Sequence, residues 1–168
     1  MKVALVHDYL VRFGGAERVL LTLSEIFPQA PIFTLLYNHK KMDPFFKKAD
    51  IRTSFLQKVP LAQNHYRGLA PLMPSAIENL DLREYDLVIS SASAFAKGLV
   101  LRPRAIHICY CHSPARFLWD WTHPYQKNSS FLKKGVLHYL RLWDRSAANR
   151  VDHFLANSET TARRIKKY

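Results

Sequence analysis

Along the chain, apolar runs of strand length alternate with segments whose apolar residues recur at helical spacing. Lys2 to Asp8 (KVALVHD) is a short apolar run closed by a polar pair, and it reads as a buried strand. Ala16, Val19, Leu20, Leu23, Ile26 and Phe27 then fall on one face of a helix that stops before Pro28. Pro31–Tyr37 (PIFTLLY) predicts a second strand, and Ile51–Leu56 (IRTSFL) a weaker third. Between residues 60 and 80, Pro60, Gly68, Pro71 and Pro74 break the pattern into short helical pieces. Tyr85–Ala92 and Ala105–Cys111 are hydrophobic through their length, as parallel strands covered on both faces are. The stretch 112–125 (HSPARFLWDWTHPY), rich in aromatics and proline, reads as a loop or short helix. Residues 131–150 carry Leu132, Val136, Leu140, Trp143 and Ala147 on one helical stripe. Val151–Ser158 is a last strand, and Asn157 or Ser158 can cap a helix that begins at Glu159.

This alternation predicts an α/β fold: an open, mostly parallel Rossmann-like sheet with helices on both faces and right-handed crossovers. Residues 1–157 are expected to form the domain and 158–168 to open a helix leading out of it. The sequence has no internal repeat and no low-complexity tract. Its end inside a helical pattern reads as a cut between domains.

The 168 residues suffice for one core. A hydrophobic content of 48% excludes a disordered chain. Charge changes the picture more: 25 Lys and Arg against 13 Asp and Glu leave +12. That balance bears on partners, and nucleic acid, an anionic membrane surface and phosphate-bearing substrates all fit it. The N-terminal apolar run is too short for a signal peptide, and no run approaches the ~20 residues of a membrane span. With two cysteines and no secretion signal, the expected compartment is the cytoplasm, with reduced thiols.

In open α/β sheets, ligands sit outside the carboxyl ends of the strands. The loop after the first strand holds Gly14-Gly15 directly before a helix, where close backbone approach and free N–H groups favour an anion. A plain turn explains the pair as well, since neither G-x-G-x-x-G nor a Walker loop is present. Glu17, in the first helical turn, suits the helix dipole as a capping carboxylate. In CYCHSP (109–114), Cys109 and Cys111 share one strand face and His112 takes the other. With no further cysteine to complete a zinc site, the thiols read as small core hydrophobes rather than metal ligands. His112, at a strand's carboxyl end, can meet a substrate hydroxyl or a developing charge, or simply bond to backbone. Ser91, Ser93 and Lys97 can line the same cleft and bind polar or phosphate groups, or merely end a strand and cap a short helix. Lys40, Lys41, Lys47 and Lys48 flank Phe45-Phe46, a pattern that suits a membrane surface or an acidic partner and equally a solvated basic loop. No two aspartates lie two apart, so the D-x-D metal signature is missing. A G-x-S-x-G elbow and zinc-finger, RRM or KH signatures are absent too.

The ordered set KVALVHDYLVRFGGAERVL, YDLVISSASAFAKG, ICYCHSPARFLWD and RVDHFLANSETTARRIKKY resembles the N-terminal domain of a GT-B-fold retaining glycosyltransferase of family four, a group that includes bacterial mannosyltransferases. The resemblance implies two Rossmann-like domains with the active site between them. The N-terminal one would bind a glycan or lipid-linked acceptor, and the C-terminal one the nucleotide-sugar. By position, Gly14 and Gly15 would lie beside the donor phosphates, and His112 would be the cleft histidine near the transferred sugar, acting on its hydroxyls or on the oxocarbenium-like transition state. It implies no metal or other cofactor, with the nucleotide-sugar as co-substrate. The family's donor-binding Arg/Lys pair and two glutamates belong to the other half, so these residues alone are expected to lack transferase activity. The basic loop would then serve an inner-membrane surface or the acceptor. The alternative is a basic nucleic-acid- or phosphate-binding α/β module without transferase activity; no nucleic acid is expected, because the basic residues follow no recognisable reading element.

Overall fold

The computed structural model describes residues 1–42, 44–120 and 130–168. Asp43 of the basic loop, and residues 121–125 of the aromatic stretch, lie outside the described residues. Six parallel strands form one open sheet in the order β3-β2-β1-β4-β5-β6. They are β1 (Val3–His7), β2 (Ile32–Thr34), β3 (Ile51–Thr53), β4 (Leu87–Ala92), β5 (Ile106–Cys111) and β6 (His153–Ala156). The sheet is parallel throughout, and its order reverses between β1 and β4, which makes their carboxyl ends a topological switch point.

Alternation of side chains along the strands builds two cores. Leu5, Ile32 and Ile89 face one side and pack with Leu20 of α1 (Gly15–Ile26), Met42 and Phe46. Ala4, Val6, Val88, Cys109 and Cys111 face the other side. There they meet Met73 and Ile77 of α3 (Met73–Glu78) and Leu137 and Leu140 of α5 (Phe131–Ala148). The proline-interrupted stretch is in pieces, with α2 (Ala62–His65), a 3-10 turn over Tyr66–Leu72 and α3 in succession. The aromatic stretch contributes α4 (Arg116–Trp119). Ser158 caps α6 (Glu159–Lys167), its Oγ accepting from the Thr161 N–H at 3.2 Å.

The expected apolar faces of α1 and α5 hold except at one end of each. In α1, Leu20 is buried and Leu23 and Phe27 pack on its core, while Ile26, the last residue, is 61% exposed and the polar Ser24 is buried. In α5, Leu140 and Ala147 are buried and Val136 and Trp143 pack beside them, while Leu132 in the first turn is 77% exposed and Asp144 is buried. The α6 helix packs back on this same domain: the buried Thr161 hydroxyl donates to His112 O at 3.3 Å, and Tyr168 stacks on Trp119.

Candidate active site at the switch point

In register, His7 and Ser91 are directly opposed across β1 and β4, at the last rung of the α1-facing side. Further in on that face the same rows are apolar (Leu5, Ile89), so the polar residues form the carboxyl-end rim of an apolar layer. Ser91 is fully buried, and its Oγ lies 3.1 Å from His7 Nδ1 and 2.8 Å from His112 Nε2. His7 Nε2 lies 3.4 Å from Oε1 of Glu17, in the first turn of α1. Four side chains from β1, α1, β4 and the end of β5 thus form one line.

The direction of the hydrogen bonds follows from what each group can donate. Burial pushes the Glu17 carboxyl up. The hydrogen bond and electrostatic attraction of the His7 ring, with the backbone N–H groups of Glu17 and Gly14, outweigh it, so the net shift is down and Glu17 is ionised. A carboxylate only accepts, so His7 donates through Nε2–H. In the tautomer that carries its proton on Nε2, His7 Nδ1 accepts from the Ser91 hydroxyl, which in turn accepts from His112 Nε2–H. Burial, with His7 adding to it, pushes the His112 pKa down and keeps its ring neutral. The chain therefore presents His112 Nδ1 as a lone-pair acceptor. No described residue hydrogen-bonds that nitrogen, which suits it to a ligand hydroxyl.

A second polar group anchors the same rim. The buried carboxylate of Asp8 accepts four backbone N–H groups: Ser93 (2.6 Å) and Ala94 (2.9 Å) at Oδ2, Phe95 (2.8 Å) and Ala96 (2.7 Å) at Oδ1. This fills the backbone cradle after β4 with the protein's own anion, so the donors a phosphate would use are taken. Lys97 does not line the cleft. It is 6% exposed and points into the opposite core, where it pairs with Asp144 and donates to Ala94 O at 3.1 Å. Asp144 also accepts from Trp119 Nε1 at 2.8 Å. Ser93 is exposed at the rim, and Ser91 acts as the link between two imidazoles.

Gly14 and Gly15 sit at the N-terminus of α1, and neither has a positive φ. A Cβ on Gly14 would come 3.1 Å from Glu17 Oε2, so the close approach that this glycine permits is made by Glu17. Gly15 is exposed, with open space where a side chain would be. Cys109 and Cys111 are free and buried, their thiols pushed up by burial to about 12 and about 11. Of the basic loop, Lys40, Lys41, Lys47 and Lys48 are exposed and Phe45 is 37% exposed. Phe46 departs from the surface reading. At 1% exposure it anchors the loop in the α1-side core, because its flat ring fills the space over Leu10 and Leu20.

His7, Asp8 and the linking role of Glu17 escape the sequence reading. Their one sequence signal is the polar pair that closes an otherwise apolar strand. A doubly wound parallel sheet with a hydrogen-bonded polar line at its switch point defines a Rossmann-like ligand-binding domain. Residues 13–168 match the sequence model described as Glycosyltransferase Family 4, and the chain belongs to that family, as the N-terminal domain of a GT-B-type transferase. No curated protein and no solved structure matches it. Among the described residues, no helix is long and apolar enough to cross a membrane.

Proposed function

We propose that this domain is the acceptor-side wall of a sugar-transfer cleft and that His112 is the catalytic residue it contributes. The hydrogen-bonded line Glu17–His7–Ser91–His112 at the switch point carries the reading. It keeps a neutral imidazole aimed outward, able to accept from a sugar hydroxyl and to stabilise developing positive charge without being a cation itself. Glu17, His7 and Ser91 are positioning residues that set its tautomer. The family's chemistry suggests a nucleotide-sugar donor, a hexosyl group, and a glycan or lipid-linked acceptor for polysaccharide synthesis, with retention at the anomeric carbon. On this reading the nucleotide-sugar is held mainly by a second, donor-binding domain, no metal or other cofactor is required, and residues 1–168 alone transfer no sugar. The exposed Lys40, Lys41, Lys47 and Lys48, with Phe45, support work at the anionic inner face of a membrane from the cytoplasmic side.

The test is transfer by the enzyme, donor domain included, against a panel of nucleotide-sugars. His112→Ala should lower kcat about 100-fold or more, the range of a lost acid–base group. Glu17→Ala should lower it less, and Glu17→Gln, which still accepts from His7, should recover part. A full-rate His112→Ala enzyme would refute the assignment. The nucleic-acid-binding alternative is disfavoured by family membership, and it would return only with steeply salt-dependent binding to generic duplex.

A further inference from the structure

A second concavity, of about 560 Å³, opens on the rim beyond β1 and β2 and shares no residue with the His112 line. The chain after β1 stays extended and pairs with the chain after β2. Leu10 N–H donates to Leu36 O at 2.8 Å, and Asn38 N–H to Leu10 O at 2.7 Å, which carries Arg12 and Lys41 to one wall. The opposite wall is α2 and the turn after it, which bring Asn64, His65, Tyr66 and Arg67. That wall is braced: the Arg67 guanidinium lies over the Tyr66 ring at 5.8 Å, and Tyr66 rests on Tyr9 at 4.9 Å. Tyr9 adjoins the anchored Asp8. Leu61, which caps α2, is held at φ 57° and is 69% exposed, a conformation unfavourable for leucine that sets the direction in which α2 enters the groove.

The charge in this groove is unbalanced. Arg52, Arg83, Arg102, Arg150 and Arg164 each hold a carboxylate. Among the described residues, Arg12, Lys41, His65 and Arg67 hold none, and no carboxylate lines the groove. A neutral sugar gains little from three fixed cations with no carboxylate to accept its hydroxyls. A phosphate fits: two guanidinium forks and an ammonium match its oxygens, and the Asn64 amide adds a neutral donor.

We propose that this groove binds a phosphate-bearing ligand. On the transferase reading above, on which this use rests, that phosphate belongs to the acceptor. The shared chemistry is a phosphate ester, whether from a soluble phosphorylated sugar or from a lipid headgroup. The 168-residue chain is titrated by calorimetry with glycerol 3-phosphate, and separately with a short-chain phosphatidylglycerol kept below its micelle concentration. Arg12→Gln/Arg67→Gln is compared with Arg163→Gln/Lys166→Gln, a charge-matched pair on α6, outside both the groove and the basic loop. All four positions are exposed, and circular dichroism checks the fold. The groove pair should lose at least about tenfold in affinity while the α6 pair stays within about twofold of the parent chain. Binding of glycerol 3-phosphate with that pattern supports a soluble source; binding of the lipid alone with that pattern supports a headgroup. No binding of either probe, or equal loss in both variants, overturns the proposal. If the groove pattern holds while the enzyme transfers no sugar, the phosphate site stands and the transferase use of it falls. If sugar transfer is observed while neither probe binds, the reverse is true.

Discussion

At the residue scale, two buried polar groups dominate the predictions. Asp8 satisfies four backbone N–H groups of one loop, and removing it leaves buried donors unpaired rather than merely deleting a contact. Asp8→Ala should therefore lose about 3 kcal/mol or more in urea unfolding, since bonds to a charged acceptor are the strong ones. A loss under about 1 kcal/mol would contradict the anchoring role. His107, buried in β5, has Nε2 bonded to Ser90 Oγ at 2.8 Å and Nδ1 without a protein partner. Burial pushes its pKa down to about 4. The unfolded chain protonates this ring near its ordinary value of about 6.5 and the folded chain does not, so stability falls as pH drops from about 6.5 to about 4, by about 3 kcal/mol in all. Unfolding midpoints across that window check it, and His107→Gln should flatten the slope.

At the element scale, the loop after β4 joins the two halves of the structure. Its Gly98 lies so close to α5 that a Cβ there would overlap the Trp143 ring and come 3.2 Å from Phe95 O. Trp143 cannot easily retreat, because its Nε1 donates to Glu78 Oε1 at 2.8 Å, and Arg150 bridges the same carboxylate and Gly98 O. Gly98→Ala should cost about 1–3 kcal/mol by overpacking, read from the melting temperature, and Trp143→Leu should relieve part of it. The Lys97–Asp144 pair closes the same junction. Lys97→Met leaves Asp144 as a buried uncompensated charge and should destabilise by about 3–5 kcal/mol in denaturant melts. Nothing about Lys97 in the sequence separates it from a cleft lysine, because which core it enters depends on α5, far along the chain.

At the scale of the whole molecule, the +12 charge is unevenly used. Several arginines sit in ion pairs, whereas the loop lysines and the groove cations are open to partners. Replacing Lys40, Lys47 and Lys48 by Ala should weaken co-sedimentation with phosphatidylglycerol-containing vesicles by about tenfold or more, at ~1 kcal/mol per lysine near an anionic surface. Vesicle binding that is unchanged in that variant, or absent from the parent, would remove the membrane role.

Strand positions and the α/β class were legible because a parallel strand covered on both faces is mostly apolar, and Val3–His7, Leu87–Ala92 and Ile106–Cys111 are so apart from His7, Ser90, Ser91 and His107. His112 was legible as a residue at a strand's carboxyl end, and Cys109 and Cys111 as core, because side chains alternate along a strand. Tertiary structure alone decided who His112 meets. His7 and Ser91 are 84 positions apart and become neighbours only through the β1–β4 register, which no local pattern encodes. The same holds for Asp8 in its backbone cradle, Phe46 under its loop and Lys97 against Asp144. Local physics writes the elements into the sequence, while the pairing of distant polar groups is settled by packing.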